Sequence, residues 1–193
     1  MERVLNMCEK ISYVVIAGNI PNGTPVEIGE IYCGRAYTSP ELAVLVQPAY
    51  VKFDHPRIFE ASGEMNHPLR SSGKFTLLRE THVPEFTLVQ RQWFAIQCAL
   101  KVCNDPVFVS WANAWINGTD RSVETAKTVL DEIRKFDSLL YTSPAWAVKS
   151  IIYASALHFD SYVSATDGIP GIDYADLARQ AIWFEKEFWE IDF

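Results

Sequence analysis

Three glutamates, Glu60, Glu64 and Glu80, lie in and beside two predicted strands of the N-terminal part of the chain. Two carboxylates held close together push one pKa upward, and the pair can then serve as acid and base. Glu60 and Glu64 share parity, so they face one side if their strand runs past Gly63. The histidines offer less. His55 and His67 each precede a proline, His82 follows a strand, and His158 stands beside Asp160 in a helical stretch. No H-x-x-x-H or H-E-x-x-H pair exists, so no helical metal site is expected. The chain also lacks G-x-S-x-G, G-x-x-x-x-G-K-[ST] and G-x-G-x-x-G. Neither a hydrolase nucleophile elbow nor a common phosphate-binding loop is therefore written in it. Cys8, Cys33, Cys98 and Cys103 form no C-x-x-C pair and are expected as free, mostly buried thiols.

A second set of residues points to binding. The chain has 193 residues and a formal net charge of −7. Residues 1–84 hold a net −1 and residues 85–193 a net −6. An acidic protein is a poor ligand for a phosphate backbone, so direct nucleic-acid binding is not expected. Acidic side chains gather near the C-terminus as Asp173, Asp176, Glu185, Glu187, Glu190 and Asp192, with Trp189 among them. An exposed tryptophan inside an acidic surface is a typical anchor for a basic protein partner. The solvated-face and folded-back readings of the same residues stay open at this point.

These residues need elements to hold them. The composition, 49% hydrophobic and 21% charged, is that of a globular protein. No apolar run approaches the length of a membrane span. The start, Met1-Glu2-Arg3-Val4, lacks an apolar leader core, which predicts a reducing cytoplasm. Residues 1–84 read as β-rich, with strands over 11–17, near 26–32, over 57–63 and over 74–80. The last two are joined by a loop that includes Gly73. Ser39-Pro40 opens one short helix. Beyond residue 84 the texture is helical. Thr87 and Gln90 fit a capping box for a helix running to about Cys103. Asp105-Pro106 starts a second helix, which Gly118 closes. Thr119 or Asp120 caps a third to about Leu140, Ser143-Pro144 opens a fourth to about Ala165, and Asp173 caps a fifth. Short loops between five helices suggest a bundle, and five of the six tryptophans, Trp183 among them, fall at packing positions. The fold class expected is α+β: a small β-rich domain over 1–84, packed on a bundle over 85–193.

Tyr32-Cys33-Gly34-Arg35-Ala36-Tyr37-Thr38-Ser39, followed by Ala43, resembles the strand and helix of ADP-ribosyltransferases. In that family an aromatic and a hydroxyl side chain cradle the nicotinamide end of NAD, and a later glutamate orients the ribose. The resemblance implies NAD as cofactor, with Tyr37, Ser39 and one of Glu60, Glu64 or Glu80 in those roles. Two wider patterns cover most of the chain. Gly29…Tyr32–Tyr37, Arg57–Glu64 and Gly73–Glu80 resemble a small β-rich domain of uncharacterised phage and bacterial proteins. Arg91-Gln92-Trp93…Cys98-Ala99, Trp111-Ala112…Trp115–Gly118 and Arg121-Ser122…Ala126 are similar to helical domains of phage proteins and of immunity proteins in toxin loci. That likeness implies an inhibitor that acts by binding, in the manner of anti-CRISPR and other anti-defence proteins, with no catalytic residue.

The leading expectation is thus a non-enzymatic protein-binding inhibitor that blocks a bacterial defence or toxin protein with a basic surface. The alternative is an NAD-using transferase built on the N-terminal part. A third reading is a structural or regulatory phage protein that self-associates as a homo-oligomer.

Overall fold

The structure is a computed structural model that describes residues 11–16, 27–46, 56–67, 70–136, 145, 147–149 and 171–184. It contains both helices and a closed four-stranded barrel, and the fold is α+β. The strands are β1 (Ser12–Ile16), β2 (Ile31–Tyr37), β3 (Arg57–Ser62) and β4 (Arg70–Thr81). They close in the order β1-β2-β4-β3, and every neighbouring pair is antiparallel. The helices are α1 (Pro40–Val46), α2 (Leu88–Leu100), α3 (Pro106–Ile116), α4 (Val123–Phe136) and α5 (Tyr174–Trp183). No helix among the described residues is long and apolar enough to cross a membrane.

Strand alternation sorts the barrel side chains into two cores. Val14, Ile16, Ala36, Phe59, Ala61, Phe75 and Leu77 fill the inside. The outer residues Val15, Tyr37 and Ile58 instead join one large cluster with α1 and the helices, including Trp93, Phe94, Phe108, Trp115 and Leu177. The outside of one barrel wall is therefore the floor of the helical core. Gly34 lies opposite Gly73, where β2 and β4 meet. The Tyr32 ring covers Gly34 so closely that a Cβ there would stand 2.4 Å from it. The small residue thus makes room for a neighbouring ring.

Two strands differ from expectation. The second covers 31–37 rather than 26–32, because pairing with β4 carries it through Gly34. β4 begins at Arg70, not Lys74, and includes Gly73 within its ladder. Opposite β3 the register steps from Glu60↔Arg79 to Ala61↔Leu77, which leaves Leu78 as an extra, bulged residue.

Most helix ends are built as their local sequence dictates. The Ser39 hydroxyl accepts from Leu42 N–H, capping α1. Thr87 and Gln90 form the reciprocal box at α2, and Asp105 caps α3 ahead of Pro106. Gly118, at φ +72°, ends α3 in a Schellman turn: Thr119 N–H reaches Ala114 C=O and Gly118 N–H reaches Trp115 C=O. α2 stops at Leu100 rather than Cys103, where the Lys101 and Val102 N–H groups bond in tightened turns to the carbonyls of Cys98 and Ala99, and Cys103 N–H closes on Ala99 as well. The α4 start also corrects expectation. Ser122, not Thr119 or Asp120, caps it, accepting from Thr125 N–H, while Asp120 braces Ser122 and Thr125 from below. Residues 145 and 147–149 are helical; the rest of the fourth expected helix, up to Ala165, lies outside the described residues.

Candidate functional site

The three glutamates are not brought together. Glu60 stands opposite Arg79 and Glu80 opposite Phe59, so adjacent positions put the two carboxylates on opposite sides of the β3–β4 wall. Each is held by its own arginine. Arg79 donates from Nε and a terminal nitrogen to both oxygens of the buried Glu60, at 2.7 Å each. Arg57 grips Glu80 in the same forked way, at 2.9 and 2.6 Å, and its guanidinium covers the Phe59 ring at 4.8 Å. The arginine hydrogen bonds hold both carboxyls below the usual carboxylate range, which is the reverse of a raised general acid. Glu64 is exposed beyond the end of β3, so the shared face predicted with Glu60 does not form.

Tyr37 and Ser39 are placed for packing and capping. Tyr37 is fully buried in the large core, and the Ser39 hydroxyl serves the α1 cap. Tyr37, Tyr13, Glu60 and Arg79 stand in one row across the outside of the barrel. Tyr13 separates Tyr37 from the carboxylate. Burial, with the charges of Glu60 and Glu41, pushes the Tyr13 hydroxyl pKa upward.

An open cleft of about 700 Å³ lies at the junction of barrel and helices. Thr38, Met65, Asn66 and His67 line it from the barrel side, and Gly171–Ala175 from the start of α5. Asn66 is held in place by Ser71, whose hydroxyl donates to its Oδ1 at 2.8 Å. Among the described lining residues Asp173 is the one carboxylate, and Tyr37, Ser39, Glu60, Glu64 and Glu80 do not line the cleft. Its volume falls in the range of small-molecule pockets. No group of three His, Cys, Asp or Glu among the described residues could hold a metal ion.

α5 buries Tyr174, Leu177, Ala178 and Ala181. Asp176, Arg179, Gln180 and Trp183 occupy its outward side. Asp173 caps the helix by accepting from Asp176 N–H, and Asp176 in turn approaches Arg179 at 3.6 Å. Trp183 is 64% exposed. This corrects the packing position expected for it: helical phase carries the buried stripe through Ala178 and Ala181, and Trp183 falls off that stripe. The signal was present in the spacing.

The chain leaving α5 is firmly held. Phe184 stacks on Trp93 at 5.3 Å and on Trp115 at 6.3 Å between centroids. The Arg121 guanidinium covers Trp115 at 4.7 Å and Phe184 at 5.6 Å, and its Nε donates to the Trp115 carbonyl. Gln90, after completing the α2 capping box, donates from Nε2 to the carbonyls of Ile182 and Phe184. Leu88, also exposed, lies two residues from that clasp. Two large apolar side chains are thus presented to solvent where α2 meets α5. Glu185, Glu187, Trp189, Glu190 and Asp192, singled out from the sequence, lie outside the described residues. Cys98 is buried as expected, but Cys33 is exposed on β2. No protein-family model, curated protein or solved structure matches this chain.

Proposed function

We propose that this protein is an inhibitory binding module whose contact surface is the outward side of α5, anchored by Trp183. The observation that carries the reading is the exposure of Trp183 on a helix end clamped by Gln90 and by the Trp93–Phe184–Trp115 stack. A large ring held out by a rigid base loses little entropy on binding, which is what a hot-spot residue needs. Asp173 and Asp176 share this helix, and the acidic Glu185–Asp192 segment follows it directly in sequence. That charge favours a partner with a basic surface. The target class follows from the resemblance to phage and immunity proteins: a bacterial defence or toxin protein, blocked by occupation in the host cytoplasm. We read the architecture behind it as a β-rich domain over residues 1–84 packed on a bundle of about five helices over 85–193.

Capture of a protein from bacterial lysate on the immobilised chain tests this reading. A stoichiometric partner is expected at low salt and is lost as salt rises. Trp183→Ala should weaken binding by about thirtyfold, the loss typical of a hot-spot anchor. Reversing Glu185, Glu187 and Glu190 to lysine should lower both affinity and its salt dependence. A partner retained equally by the Trp183→Ala protein would remove α5 as the contact.

A further inference from the structure

The barrel carries an exposed face of the opposite character. Beyond the buried Tyr37, the outward residues of β2 are Ile31, Cys33 and Arg35, all exposed. Those of β4 beside them are Ser72, Lys74, Thr76 and Leu78, aligned as Arg35↔Ser72, Cys33↔Lys74 and Ile31↔Thr76. Ile28, in the turn before β2, is exposed as well, and the exposed Glu27 and Glu30 of that turn border this end of the face. One end of this face is therefore aliphatic, through Ile28, Ile31 and Leu78, and the other is basic, through Arg35 and the diagonally adjacent Lys74. None of these seven strand residues is acidic. No aromatic ring stands among them either, so the face lacks the stacking platform that a nucleic-acid strand uses.

α5 offers the complement. Its outward side has an aromatic end at Trp183 and an acidic end, where Asp173 and Asp176 outweigh Arg179. The spacing agrees. Seven helical residues separate Asp176 from Trp183, about 10 Å at 1.5 Å per residue. Four strand residues separate Lys74 from Leu78, about 13 Å. The long, flexible lysine side chain spans the remaining difference.

We propose that this chain binds a second copy of itself, seating the outward side of one copy's α5 on the outer β2–β4 face of the other. Trp183 covers Ile31 and Leu78 while Lys74 and Arg35 meet Asp173 and Asp176. The inference rests on the same α5 surface as the proposed function, and the β2–β4 face supplies a basic docking surface within the protein itself. A foreign partner then competes with self-association.

Sedimentation of the purified full chain over a concentration series tests this without any foreign protein. Wild type should associate with rising concentration, less so at high salt. Lys74→Glu and Asp176→Lys should each weaken association at least tenfold, because each sets like charges face to face. An equimolar mixture of the two variants should associate again, since the altered α5 of one then meets the altered barrel of the other. Both positions are exposed or half-exposed, and unchanged thermal midpoints would show that both variants fold. A wild-type monomer up to the solubility limit overturns the inference, as does a mixture that fails to associate. The two readings separate cleanly. A monomeric chain that still captures a lysate protein through Trp183 leaves the proposed function standing, and a self-associating chain that captures nothing leaves only the inference.

Discussion

The barrel and the helical region handle charge in contrasting ways. In the barrel, the two glutamates on the β3–β4 wall are matched to arginines across the strands: Glu60 to Arg79 and Glu80 to Arg57. In the helical region, Asp105, Asp120 and Asp173 serve backbone N–H groups or hydroxyls at helix starts, and Glu132–Lys135 and Asp176–Arg179 pair along the helix surface as exposed i,i+3 contacts. Cross-strand pairing neutralises charge where the sheet is built. Capping consumes hydrogen-bonding capacity but leaves the negative charge in place, favourably disposed towards the positive end of each helix. Negative charge at the helix starts is thus compatible with a well-built fold.

The largest effects should come from the two cores, and they test whether the regions are separate at all. Phe59→Ala empties the inside of the barrel, and Phe94→Ala the helical core; each should cost about 3–5 kcal/mol. All six tryptophans follow residue 84, so tryptophan emission reports on the helical region while far-ultraviolet circular dichroism reports on both. Val15, Tyr37 and Ile58 belong to the helical core, so the Phe59→Ala barrel should carry the helices with it. Emission and dichroism midpoints in urea are expected to shift together in both variants. A dichroism change that precedes the emission change in Phe59→Ala would separate the barrel as its own unit.

How far each region could be read from sequence follows the same divide. Helix starts are local devices, and Ser39-Pro40, Thr87…Gln90, Asp105-Pro106 and Asp173 each announce one within four residues. Even the α4 cap stands only two or three residues from the expected Thr119 or Asp120, because Asp120, Ser122 and Thr125 are all capping types and share one network. Strands are settled by partners far along the chain. Nothing near Gly34 says that it pairs with Gly73, and glycines in both stretches argue locally against a strand. The fates of Glu60 and Glu80 depend on a bulge at Leu78, which alters parity beyond any alternation rule. The exposure of Trp183 was legible from helical phase, but the clasp by Gln90 spans 92 residues and was not.

Caps should give the next largest effect. Asp105→Ala removes the acceptor for the Val107 and Phe108 N–H groups and should cost about 1 kcal/mol. Asp105→Asn keeps an acceptor and should recover most of that loss. Urea midpoints of the two variants measure the difference. Equal losses in both would show that the charge near the helix start, rather than the hydrogen bonds, supports α3.

The smallest effect at neutral pH, and the clearest contrast with the helices, lies in the acid limb of the barrel. Glu60 and Glu80 have pKa values held below the ordinary carboxylate range by arginine hydrogen bonds. A depressed folded pKa contributes stability that is complete above the unfolded value, about 4.3 for glutamate. That contribution is lost as pH falls through the folded value. Stability should therefore be flat with respect to these groups above about pH 5 and decline below it. Arg79→Met removes the hydrogen bonds that lower Glu60. Burial, which opposes the charged form, then acts unopposed at that site, so the carboxyl takes up its proton at higher pH. The acid limb of the Arg79→Met protein should begin at higher pH than in wild type, and adding Glu60→Gln should remove this site's part of the pH dependence. Asp120→Asn offers the control from the helical region. Asp120 is also held low, by the Thr125 and Ser122 hydroxyls and the Ser122 N–H, but it is less buried than Glu60, so its contribution to the same limb should be the smaller one. Thermal midpoints from pH 7 to pH 3 compare the two directly, and an acid limb moved more by Asp120→Asn than by Arg79→Met would reverse the assignment of acid sensitivity to the barrel wall.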